Sequence, residues 1–182
     1  FSDKKTQETS QIFFKEHVKL YGVNTATVSK IGKKYFQDLK GKTKADSFDL
    51  CDTLWQSGYM EEDFIACNWS YNVKREYVPD DIRTFERWIG DYVTNWATCD
   101  TFCNHTVGTL IEMYPEKISY LKKWAKMSGR WMKRASAVTL IVPARKGLFI
   151  KDIVEIADIL LIDKDDMVQK GYGWMLKAAS QA

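Results

Sequence analysis

Residues 95–100 read NWATCD, which sets an indole at Trp96 four positions before a carboxylate at Asp100. On a helix, residues four apart share a face, about one turn from each other. A carboxylate can neutralise a positive charge that develops during a reaction, or hold and deprotonate a water. An indole beside it offers the negative face of its π system to the same cation. The plainer alternative is a core Trp next to a surface Asp, and one such pair does not choose between the two.

A second group of residues suits a polyanion. Arg130, Trp131, Lys133 and Arg134 fall in one run, Lys170 and Trp174 stand four apart, and Lys30, Lys33 and Lys34 cluster earlier in the chain. Cations pair with phosphates while aromatic rings pack on sugars or bases, so basic residues interleaved with tryptophans fit a nucleic-acid groove. Taken singly, a helical Lys is ordinarily solvated and a Trp ordinarily core. Trp55, Trp69, Trp88 and Trp124 read as core. Cys51, Cys67, Cys99 and Cys103 are expected to be reduced thiols of a cytoplasmic protein. Cys99, Cys103 and His105 match no common zinc spacing and lack a fourth ligand, so no metal is expected.

These residues need elements to hold them, and the chain's periodicity is helical. Phe85, Trp88, Ile89 and Tyr92 fall at i, i+3, i+4, i+7, and Ile153, Ile156, Ala157, Leu160 and Leu161 follow the same rule. Val28, Ile31 and Tyr35 make another stripe, and no segment shows sustained strand alternation. The run AVTLIVPARKG is the one candidate strand, and Pro143 more simply ends a helix there. Pro79 and Pro115 suit first-turn positions, Gly22, Gly41, Gly58 and Gly147 suit helix ends, and Asp163 is placed to cap the last helix. About ten helices result, running roughly 5–20, 25–39, 44–57, 60–76, 79–92, 97–113, 115–127, 129–142, 148–161 and 164–180.

The chain has 182 residues, 45% of them hydrophobic, with seven Trp, nine Tyr, nine Phe and only three Pro. That supports one continuous helical array rather than a loop-rich fold. No run of about 18 apolar residues occurs, so a transmembrane span is not expected. The net charge of +3 permits a nucleic-acid partner without demanding one. Unbroken helix pairs read as an all-α fold, an α-solenoid of HEAT-like antiparallel pairs. The second helix of each pair would line a concave basic groove; a compact bundle is the alternative.

Four segments, YGVNTATVSKIGKKYF, NWATCD, RWMKRASAV and VQKGYGWMLKAAS, resemble in order and spacing the hallmark segments of the AlkD-type HEAT-repeat DNA glycosylases, the DNA alkylation repair proteins. The resemblance runs from about Phe13 to the C-terminus. It implies hydrolytic release of positively charged alkylated bases, of the 3-methyladenine and 7-methylguanine type, from double-stranded DNA. It implies a monomer that needs no metal or other cofactor and has no membrane partner.

Residue by residue, the resemblance makes Asp100 the catalytic carboxylate and Trp96 and Trp174 the aromatic residues on the lesion side. Arg134 becomes a DNA-backbone contact, with Lys170, Lys133, Arg130 and Lys33 as further DNA-binding residues. Phe13 stands near a position that is often Tyr, and stays outside the catalytic set. The expected domain is a single HEAT-like array over residues 1–182, short of a C-terminal helical pair that such proteins usually carry. Two other readings of the same residues are a non-catalytic protein that binds damaged or branched DNA, and an adaptor in which Trp96 and Trp174 form a peptide hot spot.

Overall fold

The computed structural model describes residues 2–39 and 41–182, and every regular element among them is helical. Two compact units divide the chain, one ending at Glu76 and the other running from Tyr77 to Ala182.

The first unit contains α1 (Lys4–Gln11), α2 (Thr25–Gln37), α3 (Lys44–Ser57) and α4 (Met60–Asn72), then a 3-10 turn at Lys74–Glu76. Their starts are written locally. Asp3 and Asn24 each accept a backbone N–H of the following turn, and Thr43 with Asp46 closes a reciprocal capping box. Gly58, at φ +70°, ends α3 in the left-handed region and turns the chain straight into α4. The pair packs through Phe48, Cys51 and Trp55 on α3 and Met60, Ala66 and Cys67 on α4, with α2 laid against α4. Trp69 is half-buried rather than core, because its indole N–H reaches out to the Gly32 carbonyl at 2.8 Å.

The first helix is shorter than the expected 5–20, and the reason lies in residues 17–22. His17, Lys19 and Tyr21 are exposed while Val18, Leu20 and Gly22 are buried. That is a period of two, which a helix cannot satisfy. The segment joins no sheet, so much of its polar backbone is served by side chains, with the Met60 and Asp3 amides reaching the Lys19 and Gly22 carbonyls. Gln11 bonds the Glu16 carbonyl and the Val18 amide, and Gln7 bonds the Leu20 carbonyl. The Glu61 carboxylate, only 5% exposed, accepts the amides of Tyr21, Gly22 and Val23 at 3.1, 2.9 and 3.1 Å. Gly22 sits at φ +80°, where a Cβ would come within 2.4 Å of the Asp3 carbonyl oxygen.

The second unit contains α5 (Asp81–Asp91), α6 (Trp96–Phe102), a π-helical turn (Cys103–Val107), α7 (Gly108–Met113), a 3-10 turn (Pro115–Lys117), α8 (Ile118–Ala125), α9 (Arg130–Val138), α10 (Ile141–Arg145), α11 (Ile150–Leu160) and α12 (Asp166–Ala179). The α5 stripe buries Ile82, Phe85, Trp88 and Ile89, and Phe85 meets Phe102 of α6 edge-on at 5.4 Å. Short connections join α8 to α9 and α11 to α12, and each of these neighbours packs on the other. Helix α9 is central, packed by α5, α6, α8, α11 and α12. It can be surrounded because Ala135, Ser136 and Ala137, all fully buried, keep its girth small.

Three boundaries differ from the sequence expectation. The helix expected to run to residue 142 breaks after Val138. Pro143 has no N–H to give Thr139 and sits inside the separate short helix α10 instead. Pro79 lies just ahead of α5, which begins at Asp81. The cap of α12 is Asp165, not Asp163; the Asp163 carboxylate takes the Asp165 amide one step earlier. The fold is all-α, of the α-solenoid class of paired helices.

Glu61 supplies the testable consequence in the first unit. A hydrogen bond to a charged acceptor contributes about 1.5–3 kcal/mol, and a stranded buried amide costs more. Glu61→Ala should therefore lower the stability of this unit by at least ~3 kcal/mol in urea titration and speed amide exchange at residues 21–23. Glu62→Ala removes only the acceptor of the exposed Tyr21 hydroxyl and should cost under ~1 kcal/mol. Equal effects of the two would show that Glu61 does not organise this segment.

Candidate active site

The NWATCD segment folds as a capped helix start. Asn95 is buried, and its side-chain oxygen accepts the Thr98 amide at 2.9 Å while its amide donates to the Thr98 hydroxyl at 3.1 Å. This fixes where α6 begins. Trp96 becomes its first residue, half-buried, and Asp100 follows one turn later on the same side.

Asp100 meets Arg134 of α9 in a two-pronged ion pair. The Arg134 Nε donates to Oδ1 at 2.8 Å and Nη2 donates to Oδ2 at 2.8 Å. Both side chains are largely withdrawn from water, at 7% exposure for Arg134 and 13% for Asp100. Helix α12 completes the arrangement. Arg134 Nη1 donates to the Met167 carbonyl at 2.5 Å, and Gly171 lies over the arginine stem. A Cβ at residue 171 would stand 3.3 Å from the Arg134 Cγ, so the absent side chain gives the arginine its room. Trp174, 37% exposed, stands three residues beyond Gly171.

The electrostatics follow from this burial. Desolvation raises the Asp100 pKa above its ordinary 3.8, and the hydrogen bonds and charge of Arg134 pull the other way. A carboxyl raised in this way is a stronger base than an exposed Asp. Against it lie Cys99 and Cys103, both fully buried. Burial pushes the Cys99 thiol well above its usual range, and a neutral thiol there is unreactive. His105 is exposed and does not converge with them. Among the described residues no group of three or more His, Cys, Asp or Glu could hold a metal ion.

The expected DNA contacts divide. Arg134 is the partner of Asp100 rather than a surface cation. Arg130 pairs with Asp165 at 2.5 Å, Lys133 with Asp163 at 2.5 Å and Lys170 with Asp166 at 3.3 Å. Lys33 is exposed on α2 of the first unit. Nothing in the residue types of NWATCD or WMKR announces that Asp100 and Arg134 bond each other. Met167 acts through its backbone, which no residue-type pattern reveals. The glycine in KGYGW was the visible trace of the close approach.

The model of the DNA alkylation repair enzyme family matches residues 1–182. The chain belongs to that family. A solved structure described as a predicted DNA alkylation repair enzyme from Enterococcus faecalis superposes with a TM-score of 0.87, over 99% of this chain and 84% of that one, at 12% identity. At that identity the likeness speaks for the fold. No curated protein matches the chain. No helix among the described residues is long and apolar enough to cross a membrane.

The pH dependence of the family member's stability tests the ion pair. The folded-state pKa of Asp100 is raised, so just above pH 3.8 the folded chain still binds a proton that the unfolded chain has released. The contribution of Asp100 to stability must then fall as pH rises from 3.8 to the raised value, and level off above it. Urea unfolding of the natural chain minus that of Asp100→Asn should show this decline. A difference that grows with pH would mean that the attraction of Arg134 outweighs burial. At neutral pH, Arg134→Met strands a buried carboxylate and should cost ~3–5 kcal/mol, most of it recovered in Arg134→Met with Asp100→Leu.

Proposed function

We propose that this repair-family member is a monofunctional DNA glycosylase that hydrolyses the N-glycosidic bond of positively charged alkylated purines in duplex DNA. The observation that carries the reading is Asp100, a part-buried carboxylate held from both oxygens by Arg134 one turn after Trp96. Membership of a DNA alkylation repair enzyme family supports it.

Such a base carries its positive charge before the reaction begins. When the bond to C1′ breaks, the electron pair goes to the ring nitrogen and the base leaves neutral. The positive charge passes to the sugar, which becomes oxocarbenium-like. Asp100 would stabilise that charge and accept the proton of the water that adds at C1′. Trp96 and Trp174 would lie against the sugar with their π faces toward the cation. The leaving group needs no Lewis acid, so release should continue in the presence of EDTA.

Arg134 would act through Asp100. Its three bonds to Asp100 and Met167 use three of its five N–H groups, which leaves two for water or a phosphate. Contact with the DNA backbone would then rest mainly on Arg130, Lys133, Lys170 and, in the first unit, Lys33. The complete pairing of Asp100 favours one other reading. A carboxylate with both oxygens bonded to a guanidinium is also what a purely structural ion pair looks like, as in a non-catalytic DNA-binding relative.

Release of 7-methylguanine from methylated duplex separates the two. Asp100→Asn keeps the shape and removes the charge, and should slow release at least ~10²-fold, the scale of losing one electrostatic stabiliser. Binding to duplex bearing an abasic site should hold or tighten. Turnover near normal in folded Asp100→Asn would remove the catalytic assignment, and no turnover in the natural chain would favour the DNA-binding reading.

A further inference from the structure

The cations nearest the Asp100 pair are already engaged, and by one short stretch of chain. Residues 163–166 read DKDD and connect α11 to α12. Asp163 holds Lys133, Asp165 holds Arg130 and Asp166 holds Lys170. Two of the carboxylates also hold the backbone: Asp163 Oδ1 accepts the Asp165 amide and Asp165 Oδ1 accepts the Met167 amide, each at 2.9 Å. The pairing with Lys133 and the Asp165 amide draws the Asp163 pKa below its ordinary value, so it stays charged. Each carboxylate thus offers one oxygen to a cation, which is the chemistry a DNA phosphate would offer.

We propose that this acidic turn is an internal competitor for the DNA backbone. Duplex binding exchanges the carboxylates of Asp163, Asp165 and Asp166 for phosphates at Lys133, Arg130 and Lys170, and the turn thereby sets the affinity of the second unit for DNA. The proposal rests on the DNA-binding part of the function proposed above.

Exposure orders the exchange. Lys170 is 63% exposed and its pair with Asp166 lies within one helix at 3.3 Å, so it gives way at little cost. Arg130 is 39% exposed and Lys133 24%, each bonded at 2.5 Å across to another element. These two are held more firmly, and a phosphate gains them only by freeing a carboxylate to water. The exchange releases counterions from DNA, but it also exposes anions beside the bound strand. Net attraction is therefore smaller than the count of cations suggests.

The experiment measures binding of a short methylated duplex, against salt, by the full chain and by Asp163→Asn, Asp165→Asn, Asp166→Asn and the triple variant. Asparagine keeps an acceptor oxygen for the Asp165 and Met167 amides and remains a good helix cap, so the turn can stay folded. Circular dichroism and urea midpoints on the same samples check that it does. Asp158→Asn, an exposed position on α11, matches the change in charge of each single variant, and one third of that of the triple.

The proposal expects the triple variant to bind at least ~10-fold tighter at low salt. Its salt slope should steepen by about one for each cation set free, while Asp158→Asn leaves the slope unchanged. In the triple background, Lys133→Ala should lose more affinity than in the natural chain. Folded variants with unchanged affinity and slope, or a gain matched in full by Asp158→Asn, would overturn it. A natural chain and a folded triple variant that both fail to bind duplex even at low salt would overturn the DNA reading itself. A natural chain that binds DNA while the turn variants do not differ from it would overturn this proposal alone.

Discussion

The bidentate contact between Asp100 and Arg134 is the constraint around which the second unit is arranged. Two opposite charges withdrawn from water are costly, and their attraction compensates only when geometry is good and the remaining hydrogen-bonding groups are served. Every neighbouring feature works toward that condition. The Asn95 cap fixes the start of α6 and so the position of Asp100. The slim Ala135–Ala137 stretch lets α9 reach the middle of the unit. The Met167 carbonyl takes a third donor of the guanidinium, and Gly171 leaves space for its stem. A hydrophobic pair of similar volume could hold three helices together with less difficulty. The ion pair is therefore a weak source of stability by itself.

The helix that carries Asp100 is itself irregular. Directly after Phe102 it widens into a π-helical turn over Cys103–Val107, then resumes as α7. Such a turn inserts extra chain within a helix and resets which residues face which neighbour. At its end Gly108 passes so near the α9–α10 junction that a Cβ would lie 3.0 Å from the Thr139 carbonyl. That carbonyl is the one left without an i+4 donor by Pro143. The irregularity of one helix, the break in another and a glycine between them form one packing solution.

Much of this was readable from residue types, and what was not readable has physical reasons. Apolar stripes such as Ile82, Phe85, Trp88 and Ile89 declare their helices because burial on one face repeats every 3.6 residues. Gly58 declares an end because local geometry demands it. Residues 12–20 misled because Val18 and Leu20 are too few to establish alternation, and because the partner that holds the chain just beyond them, Glu61, lies some 40 positions away. In the candidate site, Trp96, Asp100, Arg134 and Trp174 were recognisable as a set through a family resemblance. The bond between Asp100 and Arg134 was not, since an Arg in a basic run reads as a surface cation. The same blindness covered the acidic turn: Asp163 reads as the cap of the last helix, whereas the cap is Asp165 and Asp163 holds Lys133.

On the proposed reading, the pairing of Asp100 with Arg134 sets a balance rather than a maximum. A bare carboxylate at this depth would exert the strongest field on a nearby cation, but burial alone would drive it to take up a proton and lose that field. A guanidinium on both oxygens keeps the anion and cancels part of its charge at a distance. What remains close by is an oriented dipole with its negative end fixed, which needs no reorganisation when charge appears in front of it. Such an arrangement suits a reaction whose substrate arrives already cationic, because the departing base needs little help and only the sugar's new charge must be met. It would serve poorly for an uncharged base, which requires a proton donor at the leaving nitrogen. Asp100, held as an anion beside Arg134 at neutral pH, carries no proton to give it. On that proposed reading, the ion pair suits charged, alkylated bases better than glycosidic bonds in general.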